Sequence, residues 1–343
     1  MNIKFNIGLV AAVLLTLLSC NKEDVVSGTA NELTPISFGS VTTRAVNSAS
    51  DIDEFGVWAS VSSIGSTDVS YQPLLTNERV YRNPAGSSTW TYDNTENWIS
   101  NSMFYFFAVY PYNIGVQEHR FEYDGEAAIH YALDVTADGS ANTEDILIAT
   151  NITNTNESYS TTVPLQFNHI LTKVNLKIQQ NFNIDPDFNY YVSRVSITGI
   201  KGNGELIYDP YNEKFYSEWN LDNATNITLE KVFVEPVILR NIGTENPVVT
   251  LSVWGSDGLM LIPQAITNGG VKVKVEYYYD VNPDDDLYGT AKYVEGFIPA
   301  GVWESAMSIN YTLSIANQNN ISFSQPSIVP WGSPQTGGTI IIQ

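Results

Sequence analysis

The sequence predicts an all-β protein, two antiparallel β-sandwiches in tandem, and three observations predict it. Aromatic residues make up 12% of the chain, led by 20 tyrosines, the usage of strand-rich extracellular modules. Apolar or alternating runs recur at intervals of roughly 10 to 20 residues, with Gly, Asn, Asp and Pro clusters between them, the rhythm of an antiparallel sandwich. Helical periodicity is nearly absent, and the roughly 320 residues beyond the leader are enough for two hydrophobic cores.

The chain opens with Lys4 and an apolar run from Ile7 to Leu18 that ends at Ser19, the layout of an export signal over residues 1–19. The run falls short of the roughly 20 apolar residues that a transmembrane helix needs. Leu17, Leu18, Ser19 and Cys20 look like a bacterial lipobox, in which the Cys20 sulfur receives a diacylglycerol and becomes the first mature residue. Cys20 is the only cysteine, so the mature chain has no thiol left for a disulfide or a metal. Removing Lys4 with the leader takes the formal charge from -21 to -22, an acidic excess that phosphates would repel and that argues against a nucleic-acid partner.

Residues 20–44 read as a tether and a first strand. Ile36, Phe38 and Val41 carry its apolar positions, and Thr42, Thr43, Arg44 and Ala45 follow in a loop-like setting. Phe55 to Val61 puts Phe55, Val57 and Ala59 on one face and Trp58 on the other. Met103 to Tyr110 is almost continuously apolar and closes at Pro111, which fits a central strand buried on both faces. Strand-like runs recur at 146–149, 163–167 and 174–178. The second half continues the pattern at 192–200, 227–234, 248–254, 259–262, 271–279, 293–298 and 310–315. The turn-rich stretch 151–160 is the linker candidate, which divides the chain into sandwiches over 45–160 and 161–343.

Motifs for chemistry are scarce. His119, His130 and His169 lie in different strands with no ligand partner at metal spacing, so no metal site and no cofactor is expected. No phosphate loop, nucleophile elbow or zinc signature is present, and nothing supports an enzyme. Asp284, Asp285 and Asp286 follow Pro283 without the alternate spacing of a calcium loop and read as a solvated turn. The clusters 105–112 and 277–279 fit core or cross-strand packing better than sugar stacking.

Several phrases taken together resemble the fimbrillin family of Bacteroidales, pilus subunits made as lipoprotein precursors. They are the leader with Cys20; Ile36, Ser37 and Phe38 leading to Thr43, Arg44 and Ala45; Phe55 to Trp58; Phe104 to Pro111; and Asp145 to Ala149. In the second half they are Phe167 to His169 with Lys173 and Val174; Leu261 to Gln264; and Ile321 to Phe323 with Trp331. Each phrase is short, and their order along nearly the whole chain carries the match. Asn21, Lys22, Glu23 and Asp24 also resemble an acidic surface-export tag.

The resemblance implies two tandem transthyretin-like sandwiches and a stalk or tip subunit of a surface fimbria that supports adhesion. It implies a lipid anchor in the outer membrane, a cut between Arg44 and Ala45, loss of the strand 34–43, and its replacement by a strand from another subunit. Other pilin subunits, and a host or bacterial surface receptor, would be the partners. Thr339, Ile340, Ile341 and Ile342 are the candidate donor strand, or they close their own C-terminal sandwich. Two alternatives stand beside this reading: an unprocessed anchor pilin, and a lipid-anchored glycan-binding protein that uses exposed aromatics such as Trp90 or Trp98.

Overall fold

The computed structural model describes residues 25–26, 34–43, 52–65, 72–112, 119–123, 127–141, 144–180, 189–209, 214–215, 219–240, 249–280, 291–317 and 320–331. Among these residues every regular element is a β-strand. No helix of the described residues is long and apolar enough to cross a membrane.

The first half is organised by a seven-stranded sheet. Its strands run in the order Ser37–Thr43, Thr162–His169, Leu147–Asn154, Ser102–Tyr110, Glu54–Ser63, Gln72–Arg82 and Trp90–Thr91. Ser102–Tyr110 is central, paired antiparallel with Glu54–Ser63 on one side and Leu147–Asn154 on the other. Its alternate side chains serve two cores, as the period of two requires. Phe104, Phe106 and Ala108 join Phe55, Val57, Ala59 and Val61 in the first core. Phe107 and Val109 point the other way with Trp58 and meet Ile170, Leu171, Met260, Ile262 and Trp331 of the second half. The continuous apolar run MFYFFAVY is thus buried on both faces, as expected.

A third core fills the second half. One of its sheets is Leu251–Ser252, Thr172–Gln180, Met307–Asn317 and Asn320–Phe323, with Leu259–Leu261 and Ser327–Pro330 added alongside. The other is Asn226–Ile238, Asn189–Lys201, Lys272–Asp280 and Lys292–Phe297. Thr172–Gln180 alternates strictly, with Val174, Leu176 and Ile178 in the core. The first core ends in sequence at Phe167 and the last begins at Val174. The turn-rich stretch expected as a linker contains the end of Leu147–Asn154 and the turn that returns the chain to Thr162–His169 in the same sheet.

The structure departs from the simple tandem picture in three ways. Ser37–Thr43 pairs with Thr162–His169 in parallel, and so does Thr172–Gln180 with Met307–Asn317, whereas wholly antiparallel sheets were expected. A four-stranded sheet is shared between the halves, with Asn203–Asp209 paired antiparallel to Ala127–Ala132. Of the run expected at 248–254, the described residues keep only Leu251–Ser252 as strand, because the chain turns at 253–257 with Gly255 at φ 74°.

Candidate strand-exchange groove

The leading strand, Ser37–Thr43, lies at the end of the seven-stranded sheet, so one long side pairs with Thr162–His169 and, among the described residues, the other carries no second ladder, although Trp90–Thr91 from the far end of the same sheet lies close by. Edge strands of this kind are the ones whose removal leaves the rest of a sheet intact. The pairing itself is interrupted. Registers 37–39 on 162–164 and 42–43 on 166–167 are offset by a bulge between Pro164 and Gln166, and Pro164 has no N–H to give.

The segment just before the strand is gripped from both sides. The Ile36 N–H donates to Glu96 O at 2.8 Å, and the Trp98 N–H donates to Thr34 O at 2.9 Å. The Tyr92 hydroxyl donates to Ile36 O at 2.8 Å and accepts the Glu96 N–H at 3.3 Å. On the opposite side, Thr161 O accepts the Ser37 hydroxyl at 3.1 Å and the Trp98 indole N–H at 3.2 Å. Burial pushes the Tyr92 phenol above its ordinary value, which keeps it a protonated donor.

Two side chains plug the slot. Ile36 is 1% exposed and Phe38 is 5% exposed. Phe38 meets three rings edge-on, Tyr92 at 5.3 Å, Phe106 at 6.1 Å and Phe55 at 6.3 Å between centroids. The groove therefore has a main-chain reading wall at residues 96–98, a pocket that buries the aliphatic Ile36 and a pocket lined by rings that buries Phe38.

Of the residues expected to act, Cys20, Arg44, Ala45, Thr339, Ile340, Ile341 and Ile342 lie outside the described residues. Thr43, immediately before the expected cut, pairs with Phe167, and Trp331 is the last described residue before the candidate donor. Trp98 is buried against Phe104 and Phe106, so its ring is not offered to a sugar. Trp90 is half-buried, packed on Phe55 with the Arg82 guanidinium 4.4 Å from its ring centroid.

Sequence reasoning missed one buried polar cluster. His169, expected to be isolated, has Nδ1 2.7 Å from Asp145 Oδ2 in a close polar contact without hydrogen-bond alignment. Its ring lies flat on Trp331, 4.0 Å between centroids and 6° from parallel. The three residues tie the end of the partner strand to the point where the C-terminal segment departs. Among the described residues, no group of three His, Cys, Asp or Glu side chains could hold a metal ion.

The model of the fimbrillin-like family matches residues 43–331, from the last residue of the leading strand to Trp331. The crystal structure of a fimbrial protein from Bacteroides vulgatus superposes with a TM-score of 0.62 at 18% identity, covering 85% of this chain and 99% of that one. A putative cell adhesion protein from Bacteroides uniformis has a TM-score of 0.46 at 15% identity, over 87% of this chain and 99% of its own. No curated protein matches the sequence. At 18% identity the Bacteroides vulgatus structure attests the shared fold alone, and it is the family match over most of the chain that places it: the protein belongs to the fimbrillin-like family.

Proposed function

We propose that the chain is the precursor of a surface fimbrial subunit, lipidated at Cys20, cut between Arg44 and Ala45, and assembled when a strand from another subunit replaces residues 34–43. The carrying observation is the seating of that segment: an edge strand, parallel to its single sheet partner, whose two plugging side chains bury almost completely in the first core. Its departure exposes Glu96 O, Thr161 O, the Trp98 N–H, the Tyr92 hydroxyl and two apolar pockets. Unpaired main-chain groups and bare apolar surface are costly in water, so the vacated groove recruits an extended strand. Because each groove takes its strand from another subunit, the contact is heterologous and propagates as a fibre.

Membership of the fimbrillin-like family and the fold shared with the Bacteroides vulgatus fimbrial protein support a subunit at the cell surface with other pilins as partners. Thr339 to Ile342 serve as the strand given to the next subunit, starting from a root fixed by Trp331 on His169. The assembly needs no catalytic residue of this chain.

Strand exchange is tested by cutting the full-length protein after Arg44 and adding a labelled peptide with the sequence of residues 34–43. Uptake by the cut protein and not by the uncut protein is expected. Equal uptake by both, or none by either, contradicts the proposal.

A further inference from the structure

We propose that the groove selects incoming strands of the pattern aliphatic, small polar, aromatic, glycine, and that its favoured occupant is a strand of a different subunit and not Thr339–Ile342 of a second copy. The inference rests on the strand-exchange reading above and identifies the partner by its chemistry.

Each position of the pattern has a physical origin. The aliphatic position, held by Ile36, must present both an N–H to Glu96 O and a C=O to the Tyr92 hydroxyl, so proline is excluded there. The next position points its side chain to Thr161 O and to Thr162 Oγ1, 2.9 Å from Ser37 Oγ, and tolerates small polar residues. The aromatic position faces three rings whose edges and faces are complementary to a fourth. An aliphatic side chain there leaves Phe55, Tyr92 and Phe106 with unfilled space between them.

The glycine position is set by close approach. A Cβ on Gly39 would stand 2.5 Å from Thr162 Cγ2. With a hydroxyl at the small polar position, as Ser37 supplies, that methyl is held in place through the Thr162 hydroxyl on the same carbon. Gly39 therefore answers to a steric demand set by the groove together with the small polar residue two positions before it.

The C-terminal residues 332–343, GSPQTGGTIIIQ, meet the pattern poorly. With Ile340 and Ile342 in the aliphatic and aromatic pockets, Gln343 falls on the glycine position. Shifted by two residues, Ile340 enters the aromatic pocket and Ile341 falls on the glycine position. Either register lacks the ring and brings a Cβ against Thr162. The donor this chain carries and the groove it offers are not matched to each other, so this subunit sits between unlike neighbours in the fibre.

The test uses the full-length protein cut after Arg44 and four labelled peptides: residues 34–43, the same with Phe38→Ile, the same with Gly39→Ala, and residues 332–343. The first is expected to bind at least about tenfold more tightly than each of the others. A Thr162→Ser protein, which lacks the obstructing methyl, is expected to recover binding of the Gly39→Ala peptide. Binding of the 332–343 or Phe38→Ile peptide within about twofold of the first overturns the selectivity, and failure of Thr162→Ser to recover the Gly39→Ala peptide overturns its glycine rule. If the 34–43 peptide itself does not enter the cut protein, strand exchange fails and the selectivity falls with it.

Discussion

Replacing Phe38 by alanine in the full-length protein removes the plug of the aromatic pocket while leaving the main-chain bonds of the groove in place. Phe38 is 5% exposed and touches three rings, so the change forfeits nearly a full aromatic burial and leaves a cavity that those rings cannot close. Losses of this kind cost about 3–5 kcal/mol. Urea unfolding followed by tryptophan fluorescence reads the effect, because Trp98 packs on Phe104 within the same core, 4.7 Å between centroids. With a slope of about 2–3 kcal/mol per molar, the midpoint of the first-core transition falls by about 1–2.5 M. Val234→Ala is the control: its side chain is 96% exposed, and its effect stays within about 0.5 kcal/mol. A shift for Phe38→Ala no larger than the control's refutes the reasoning, since the leading strand would then not support the core it plugs.

Tyr92→Phe removes the hydroxyl that bridges Ile36 O and the Glu96 N–H, and lowers stability by about 1–2 kcal/mol in the same assay; an unchanged midpoint contradicts the bridge. Gly139→Ala places a Cβ 2.7 Å from Glu230 Cγ at a residue of φ 80°, in a loop whose carbonyl accepts the Glu230 N–H. It lowers the thermal midpoint of the second half by several degrees, equivalent to about 1–3 kcal/mol, and a neutral effect contradicts that packing. The Asp138 carboxyl is held down to about 2 by hydrogen bonds from Thr136 and from the Ser140 side chain and N–H. Its folded value is depressed, so its contribution is complete above the ordinary 3.8 and is lost as pH falls through about 2. A carboxyl-detected titration midpoint near 2, moving up in Thr136→Val, is expected, and a midpoint near 3.8 in the unaltered protein contradicts the turn geometry.

What the sequence made legible was what side chains encode. Ile36 and Phe38 announced the leading strand by alternation, and Ser102–Tyr110 announced itself by being apolar on both faces. Gln72–Arg82 was missed because only Leu75 and Val80 are buried and Asn77, at φ 47°, breaks the alternation where the register with Glu54–Ser63 slips. Parallel pairing of the leading strand was invisible because alternation is the same in either direction. The reading wall of the groove was missed for a related reason. Glu96 and Trp98 act there through main-chain atoms, which carry no residue signature, and the neighbouring Asn94, Thr95 and Asn97 look like any polar turn. The His169 cluster joins Asp145 and Trp331 from distant parts of the chain, so no spacing rule would have assembled it.

The central claim is that residues 34–43 occupy a groove destined for another subunit's strand. The most direct measurement is the intact mass and N-terminal peptide of this protein recovered from surface fibres of the cells that make it. The account predicts a chain beginning at Ala45, without lipid and without residues 34–43. A chain in assembled fibres that still begins at lipidated Cys20 and retains that segment would contradict it.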